Sequence, residues 1–112
     1  TGMPFSAQHL PQAPQREAVD QLRGAAVLEF GTPWCSHCQS AQPLIQQALQ
    51  PEGEVQHIKV EDGPGQPLGR SYRVKLWPTL VFLRDGAEVA RLVRPQAVQD
   101  IRQALSMLKT AS

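Results

Sequence analysis

An α/β fold, with a mixed central sheet of four to five strands and helices on both faces, is the architecture this sequence predicts. Three observations carry that expectation. Short β-prone runs alternate with segments of helical period through the 112 residues, which implies parallel βαβ units. Asp85-Gly86 separates two β-prone runs in the manner of a hairpin turn, adding an antiparallel pair. A closing amphipathic run supplies a helix to cover one face.

The elements follow in order. Residues 3–14 hold three prolines and no clear period, so this stretch reads as an N-terminal arm or a short edge strand near residues 6–9. The domain proper is expected over 15–112. Ala18, Val19 and Leu22 fall at helical spacing within 15–23, with Glu17 early, Arg23 late and Gly24 as a stop, which predicts a first helix. Residues 25–30, a run bounded by Gly24 and Gly31, read as a strand buried on both faces. Residues 39–50 present Ala41, Leu44, Ile45, Ala48 and Leu49 as one face of a second helix that Pro43 should kink. Residues 54–60 alternate as a strand, 61–67 are turn-rich, and 68–72 suit a short helix. The paired strands of the hairpin are expected at 79–83 and 87–93. Val98, Ile101, Ala104, Leu105 and Leu108 share a face of the final helix, at 96–109.

Both cysteines lie in Trp34-Cys35-Ser36-His37-Cys38, between the first buried strand and the second helix. Two cysteines separated by two residues suit a reversible disulfide when they open a helix: the first thiol is exposed at the N-terminus and the second lies one turn inside. The free N–H groups there favour an anion, which makes Cys35 the attacking thiolate and Cys38 the resolving thiol. Ligands in α/β sheets bind beyond the carboxyl ends of the parallel strands, where Cys35 stands.

Composition narrows the remaining classes. A net charge of +1 without a basic run gives no reason to expect a nucleic-acid or membrane partner. The apolar fraction of 41% is ordinary, and no stretch approaches the roughly 18 apolar residues of a membrane span. A single close cysteine pair is no disulfide framework. As half of a zinc site it would need two of His9, His37 and His57, none of which has paired spacing, so no metal and no cofactor are expected. The N-terminus lacks the pattern of a signal peptide, which suggests the cytoplasm. Thr1-Gly2 before Met3 reads as a cloning remnant, and a removed export leader would place the protein in the periplasm instead.

With these residues in view, Leu28-Glu29-Phe30-Gly31-Thr32-Pro33-Trp34-Cys35-Ser36-His37-Cys38 resembles the active-site segment of the thioredoxin superfamily. It looks closest to the protein disulfide isomerase type. The resemblance continues through Lys59-Val60-Glu61, the stretch from Ser71 to Leu80 with its Trp77-Pro78-Thr79, and Arg84-Asp85-Gly86, covering roughly residues 15–109. It implies a thioredoxin fold and a thiol–disulfide oxidoreductase that reduces, forms or exchanges protein disulfides. Its partners would be disulfide-containing proteins and a recycling redox protein not identifiable from these residues, and nothing demands more than a monomer.

Residue by residue, the resemblance implies that Pro78 is the cis-proline facing the disulfide, where adjacent backbone pairs with a substrate strand. Trp34 is the aromatic flanking the nucleophile, and Trp77 and Pro78 join it as substrate-binding positions. Glu29 is the buried acid whose raised pKa lets it exchange a proton with the resolving thiol; the alternative is a solvated acid or one paired with Lys59. Pro43 matches the helix kink. Ser36 in place of Gly, Gly31 in place of an aromatic, and Arg94-Pro95 in place of a small Gly-containing segment are departures, the last bearing on the width of the substrate groove.

Three further residue readings stand beside these. His37, partly protonated beside Cys35, would stabilise the thiolate and make the disulfide more oxidising; otherwise it is a solvent-facing helix residue. His57 on an apolar strand reads as a packed core histidine. Arg70, Arg73 and Lys75 read as a solvated face or a mild anion preference. A second function class stays open: a thioredoxin-fold binding or chaperone-like module with little-used cysteines, motivated by Gly31 and Arg94-Pro95. A peroxidase finds no visible match.

Overall fold

The computed structural model describes residues 5–110. Helix α1 (Arg16–Asp20) leads to strand β1 (Ala25–Gly31), helix α2 (Ser36–Leu49), strand β2 (Val55–Glu61) and helix α3 (Pro67–Ser71). Strands β3 (Thr79–Arg84) and β4 (Ala87–Val93) and helix α4 (Val98–Thr110) complete the chain. One four-stranded sheet runs in the order β2-β1-β3-β4.

The sheet is mixed, but only β1 and β2 are parallel; β3 lies antiparallel to β1 and to β4. The second βαβ unit expected from the alternation therefore does not form. A parallel crossover must carry the chain back along the whole strand. At about 1.5 Å per residue, the five residues of α3 span only part of a seven-residue strand rising about 3.3 Å per residue, so α3 does not serve as a crossover helix. The chain re-enters from the end it left, and β3 runs the other way.

Alternation along β1 sorts its side chains between two cores. Val27 joins Ile45, Leu49, Phe82, Ile101 and Leu108 under α2 and α4. Ala26, Leu28 and Phe30 join Val19, Leu68, Tyr72, Val81 and Leu83 under α1 and α3. With a period of two, Glu29 and Gly31 fall on the face of Val27, beneath α2. Val55 shares that core, so His57 and Lys59 of β2 fall on this face too, and Glu29 is registered opposite Lys59. Sheet geometry thus gathers an acid, a histidine and a lysine directly below the helix that begins at the cysteines.

Three boundaries depart from expectation for identifiable reasons. Helix α1 stops at Asp20 because the next amides reach back only three residues, from Gln21 to Ala18 and from Leu22 to Val19, the tightening that ends many helices. Helix α2 starts at Ser36 rather than 39, since Cys35 itself caps it. The arm forms no strand among residues 5–14. Leu10 N–H reaches the Lys59 carbonyl, Pro11 and Pro14 have no N–H to give, and Ser6 donates its N–H to the His57 ring.

At the far end, Asp85 and Gly86 adopt positive φ of 50° and 83°, the conformation of a type I′ hairpin. A Cβ on Gly86 would stand 2.0 Å from the Asp20 carbonyl oxygen, so glycine is what lets this turn close against the end of α1.

Candidate active site

Cys35 occupies the N-cap of α2 with extended φ and ψ of −81° and 121°. Its Sγ accepts the Cys38 N–H at 3.2 Å, satisfying one of the orphan donors of the helix start. Both cysteines are free thiols. Cys35 is only 9% exposed and Cys38 4%, so the expected open first thiol is instead a sulfur turned inward to cap the helix it begins. Cys38 packs over the end of β1: a Cβ on Gly31 would lie 2.6 Å from its Sγ. The glycine that departs from the family pattern thereby makes room for the Cys38 sulfur. Burial, then the hydrogen bond with Cys35, then the charges of Cys35 and Glu29 push the Cys38 thiol up to about 12.

Beneath lies a sealed polar network. Glu29, 1% exposed, meets His57 Nε2 through Oε1 at 2.8 Å and accepts from Gln42 Nε2 through Oε2 at 2.8 Å. The same Gln42 nitrogen reaches the Cys38 carbonyl at 3.1 Å, and Gln42 Oε1 accepts from Lys59 Nζ at 2.6 Å. Lys59 Nζ also donates to the Ala7 carbonyl at 3.0 Å and stands 3.9 Å from Glu29 Oε2. His57 Nδ1 accepts the Ser6 N–H at 2.7 Å, with the Phe5 ring stacked on the imidazole at 5.4 Å.

This network reverses one expectation. Burial alone pushes the Glu29 carboxyl up, but the His57 hydrogen bond, the Lys59 charge and the Gln42 amide outweigh it and hold the carboxyl below its ordinary value. The resemblance implied a raised value; donors on three of its sides make it an ionised acid instead.

Above the sulfurs the surface opens. Trp34 is 70% exposed and meets Trp77 edge to face, with centroids 5.8 Å apart. Trp77 Nε1–H donates to Asp62 Oδ2 at 2.9 Å, and the Trp77–Pro78 peptide bond is cis. Leu76 and Val93 add exposed apolar area. Arg94, at φ 52°, donates Nε–H to the Trp77 carbonyl at 2.8 Å and its main-chain N–H to that of Pro78 at 2.9 Å. His37 is exposed on the first turn of α2 and shares a shallow groove with Arg94 and Pro95; no hydrogen bond ties it to either sulfur.

The structure therefore brings Cys35, Cys38 and Glu29 together and sets Trp34, Trp77 and Pro78 along the rim, with His37 outside. Gln42, Asp62 and the polar role of His57 escaped the sequence reading. Gln42 follows Cys38 by four residues, one helical turn, and His57 follows the β2 alternation onto the face of Glu29; these were the available signals. Among the described residues no cluster of His, Cys, Asp and Glu is arranged to hold a metal ion.

The model of the Thioredoxin family matches residues 7–107. The chain is 42% identical over 66 residues to protein disulfide-isomerase A2 of Pongo abelii, covering 55% of this chain and 13% of that protein. To thioredoxin H2-1 of Oryza sativa subsp. japonica it is 27% identical over 86 residues, covering 77% of this chain and 62% of that protein. It thus spans less than two thirds of either curated relative. The structure of thioredoxin 2 from Pseudomonas aeruginosa PAO1 in its reduced form superposes with a TM-score of 0.84 at 50% identity, covering 96% of this chain and 100% of that one.

Proposed function

The chain belongs to the thioredoxin family, and on that premise we propose that it is a thiol–disulfide oxidoreductase that reduces protein disulfides. The observation that carries the reading is the pair of sulfurs within one helical turn: Cys35, capping α2 beside the exposed Trp34, and Cys38, deeper over the network of the ionised Glu29.

Cys35, as the thiolate, attacks one sulfur of the substrate disulfide; the other substrate sulfur leaves as a thiolate and takes a proton from water. Cys38 then gives its proton to Glu29 and attacks Cys35 Sγ. The second substrate sulfur leaves, the substrate has gained two electrons, and the enzyme holds a Cys35–Cys38 disulfide. A separate reductase must return two electrons for the next turn. Trp34, Trp77 and Pro78 are proposed to bind the substrate segment.

Reduction is favoured over oxidation because His37, the residue that would poise the pair as an oxidant, stands exposed and unbonded to the sulfurs. The likeness to a thioredoxin along its whole length supports the same direction.

The test uses insulin reduction. Cys35→Ser is expected to abolish it, and Cys38→Ser to trap a mixed disulfide; full activity in Cys35→Ser defeats the proposal. Direction is read from the reduction potential in a glutathione buffer, followed by tryptophan fluorescence. A value near about −270 mV supports a reductase working in a reducing compartment such as the cytoplasm, and one near about −180 mV an oxidase or isomerase.

A further inference from the structure

The hydrogen bonds around His57 assign its protons. A main-chain N–H can only donate, so Nδ1, which accepts from Ser6 at 2.7 Å, carries a lone pair and no hydrogen. A neutral imidazole then holds its one proton on Nε2, and Nε2 must donate to Glu29 Oε1 at 2.8 Å. The opposite arrangement would leave His57 without any ring proton. Ser6 thus locks one tautomer, and the stacked Phe5 ring holds the imidazole in place.

The consequence passes to the carboxylate. Oε1 is occupied by His57, while Oε2 is held by Gln42, whose amide nitrogen also touches the Cys38 carbonyl. We propose that His57, locked by the Ser6 N–H of the N-terminal arm, is a positioning residue that fixes the orientation of the Glu29 carboxylate through Oε1 for its part in taking the Cys38 proton. This rests on the reading of Glu29 as the proton acceptor in the resolving step. In that step the Cys38 S–H bond breaks, the proton goes to the Glu29 carboxylate, the S–S bond to Cys35 forms and the substrate thiolate leaves. The proton escapes through a cleft of about 420 Å³ between arm and helix, lined by His9, Thr32, Cys38 and Lys59.

The arrangement also keeps the acceptor ionised in mild acid. Of the titratable groups facing Glu29 among the described residues, His57 and Lys59 come from β2, His9 from the arm and Cys38 from the start of α2. Burial is already the largest single influence on the carboxyl, so loss of the His57 donor moves the balance upward, and an acid limb should appear in the resolving step.

Two measurements on the full reduced chain test this. Long-range proton–nitrogen spectra of the histidine rings should show His57 as the Nε2–H tautomer. Ser6→Pro, which deletes the N–H, should let the Nδ1–H tautomer appear as well; a parent ring that carries its proton on Nδ1, or a ring still wholly Nε2–H in Ser6→Pro, overturns the proposal. The second measurement follows the mixed disulfide formed with a peptide disulfide, by acid quench and alkylation. His57→Phe should lengthen its lifetime at pH 6, by about tenfold for each unit by which the carboxyl pKa comes to exceed that pH, with little change at pH 8. His57→Gln, which restores a donor, should bring the lifetime back. If Glu29→Gln alters the pH profile and His57→Phe does not, the positioning role is wrong while the acceptor reading stands. If neither alters it, the acceptor reading itself has failed.

Discussion

The two sulfurs sit in opposite surroundings a few residues apart. Around Cys35 the protein spends exposed aromatic area on a rim, Trp34 and Trp77, whose atoms face solvent or a partner. Around Cys38 it spends hydrogen bonds on the buried Glu29, His57 and Lys59 and the half-buried Gln42, with Lys59 and Gln42 lining a cleft beside the arm. On the proposed reading, the difference separates two demands of disulfide exchange: Cys35 must meet varied substrates, and Cys38 must give up a proton on cue. Rim residues should therefore govern affinity at little cost in stability, and network residues stability and pH dependence.

The largest effect that tests the division is Glu29→Ala. Removing the carboxylate leaves Lys59 and His57 buried without their acid, and breaking a buried pair from one side costs about 3–5 kcal/mol. Urea unfolding at pH 7 should show that loss. Trp34→Ala is the matched rim change: stability within about 0.5 kcal/mol of the parent, but a raised KM for insulin. Equal losses of stability in the two variants would erase the distinction.

Gly31→Ala probes the seam between the regions. Its Cβ would meet Cys38 Sγ at 2.6 Å, so the sulfur or strand must shift, an overpacking worth about 1–3 kcal/mol. The same denaturation experiment reads it, and an unchanged midpoint would mean that the Cys38 sulfur moves freely.

How far the sequence revealed these regions follows the same division. The rim was found by resemblance, which its short contiguous motifs carry: Trp34 adjoins Cys35, and Trp77 adjoins Pro78. The network was not, since its members come from the arm, β1, α2 and β2 and meet only through strand register and one helical turn. Glu29 was found by resemblance, yet its ionisation was anticipated with the wrong sign because the donors facing it were unknown. All the helices and strands were legible from periodicity and turn residues; the direction of β3 was not, as it depends on the length of α3 rather than on any pattern within β3.

A smaller effect isolates Cys38. In the fold its thiol is pushed up to about 12 from an ordinary 9.0, so above pH 9 the unfolded chain releases a proton that the folded chain keeps. Stability is full below pH 9 and falls as pH rises towards 12. Near pH 10.5 the loss should be about 1 kcal/mol after allowance for solvent screening, or several degrees in Tm. Melting with reductant at pH 8 and 10.5 should show a steeper drop in the parent than in Cys38→Ser; parallel drops would mean that the resolving thiol ionises as readily as a free one.

The smallest expected change lies where the rim departs from its family. Arg94 holds the Trp77 carbonyl with Nε–H from a backbone φ of 52°, a region that glycine enters without penalty. Arg94→Gly gives up a hydrogen bond worth about 1 kcal/mol and relieves backbone strain of similar size, so Tm should scarcely move. It also frees the Trp77 carbonyl beside Pro78, where the resemblance places the substrate strand. KM for insulin should then fall while kcat stays constant, the pattern of an interaction made equally in ground and transition states. A rise in KM instead would make Arg94 a direct substrate contact, moving it from a cover over the rim to a part of it.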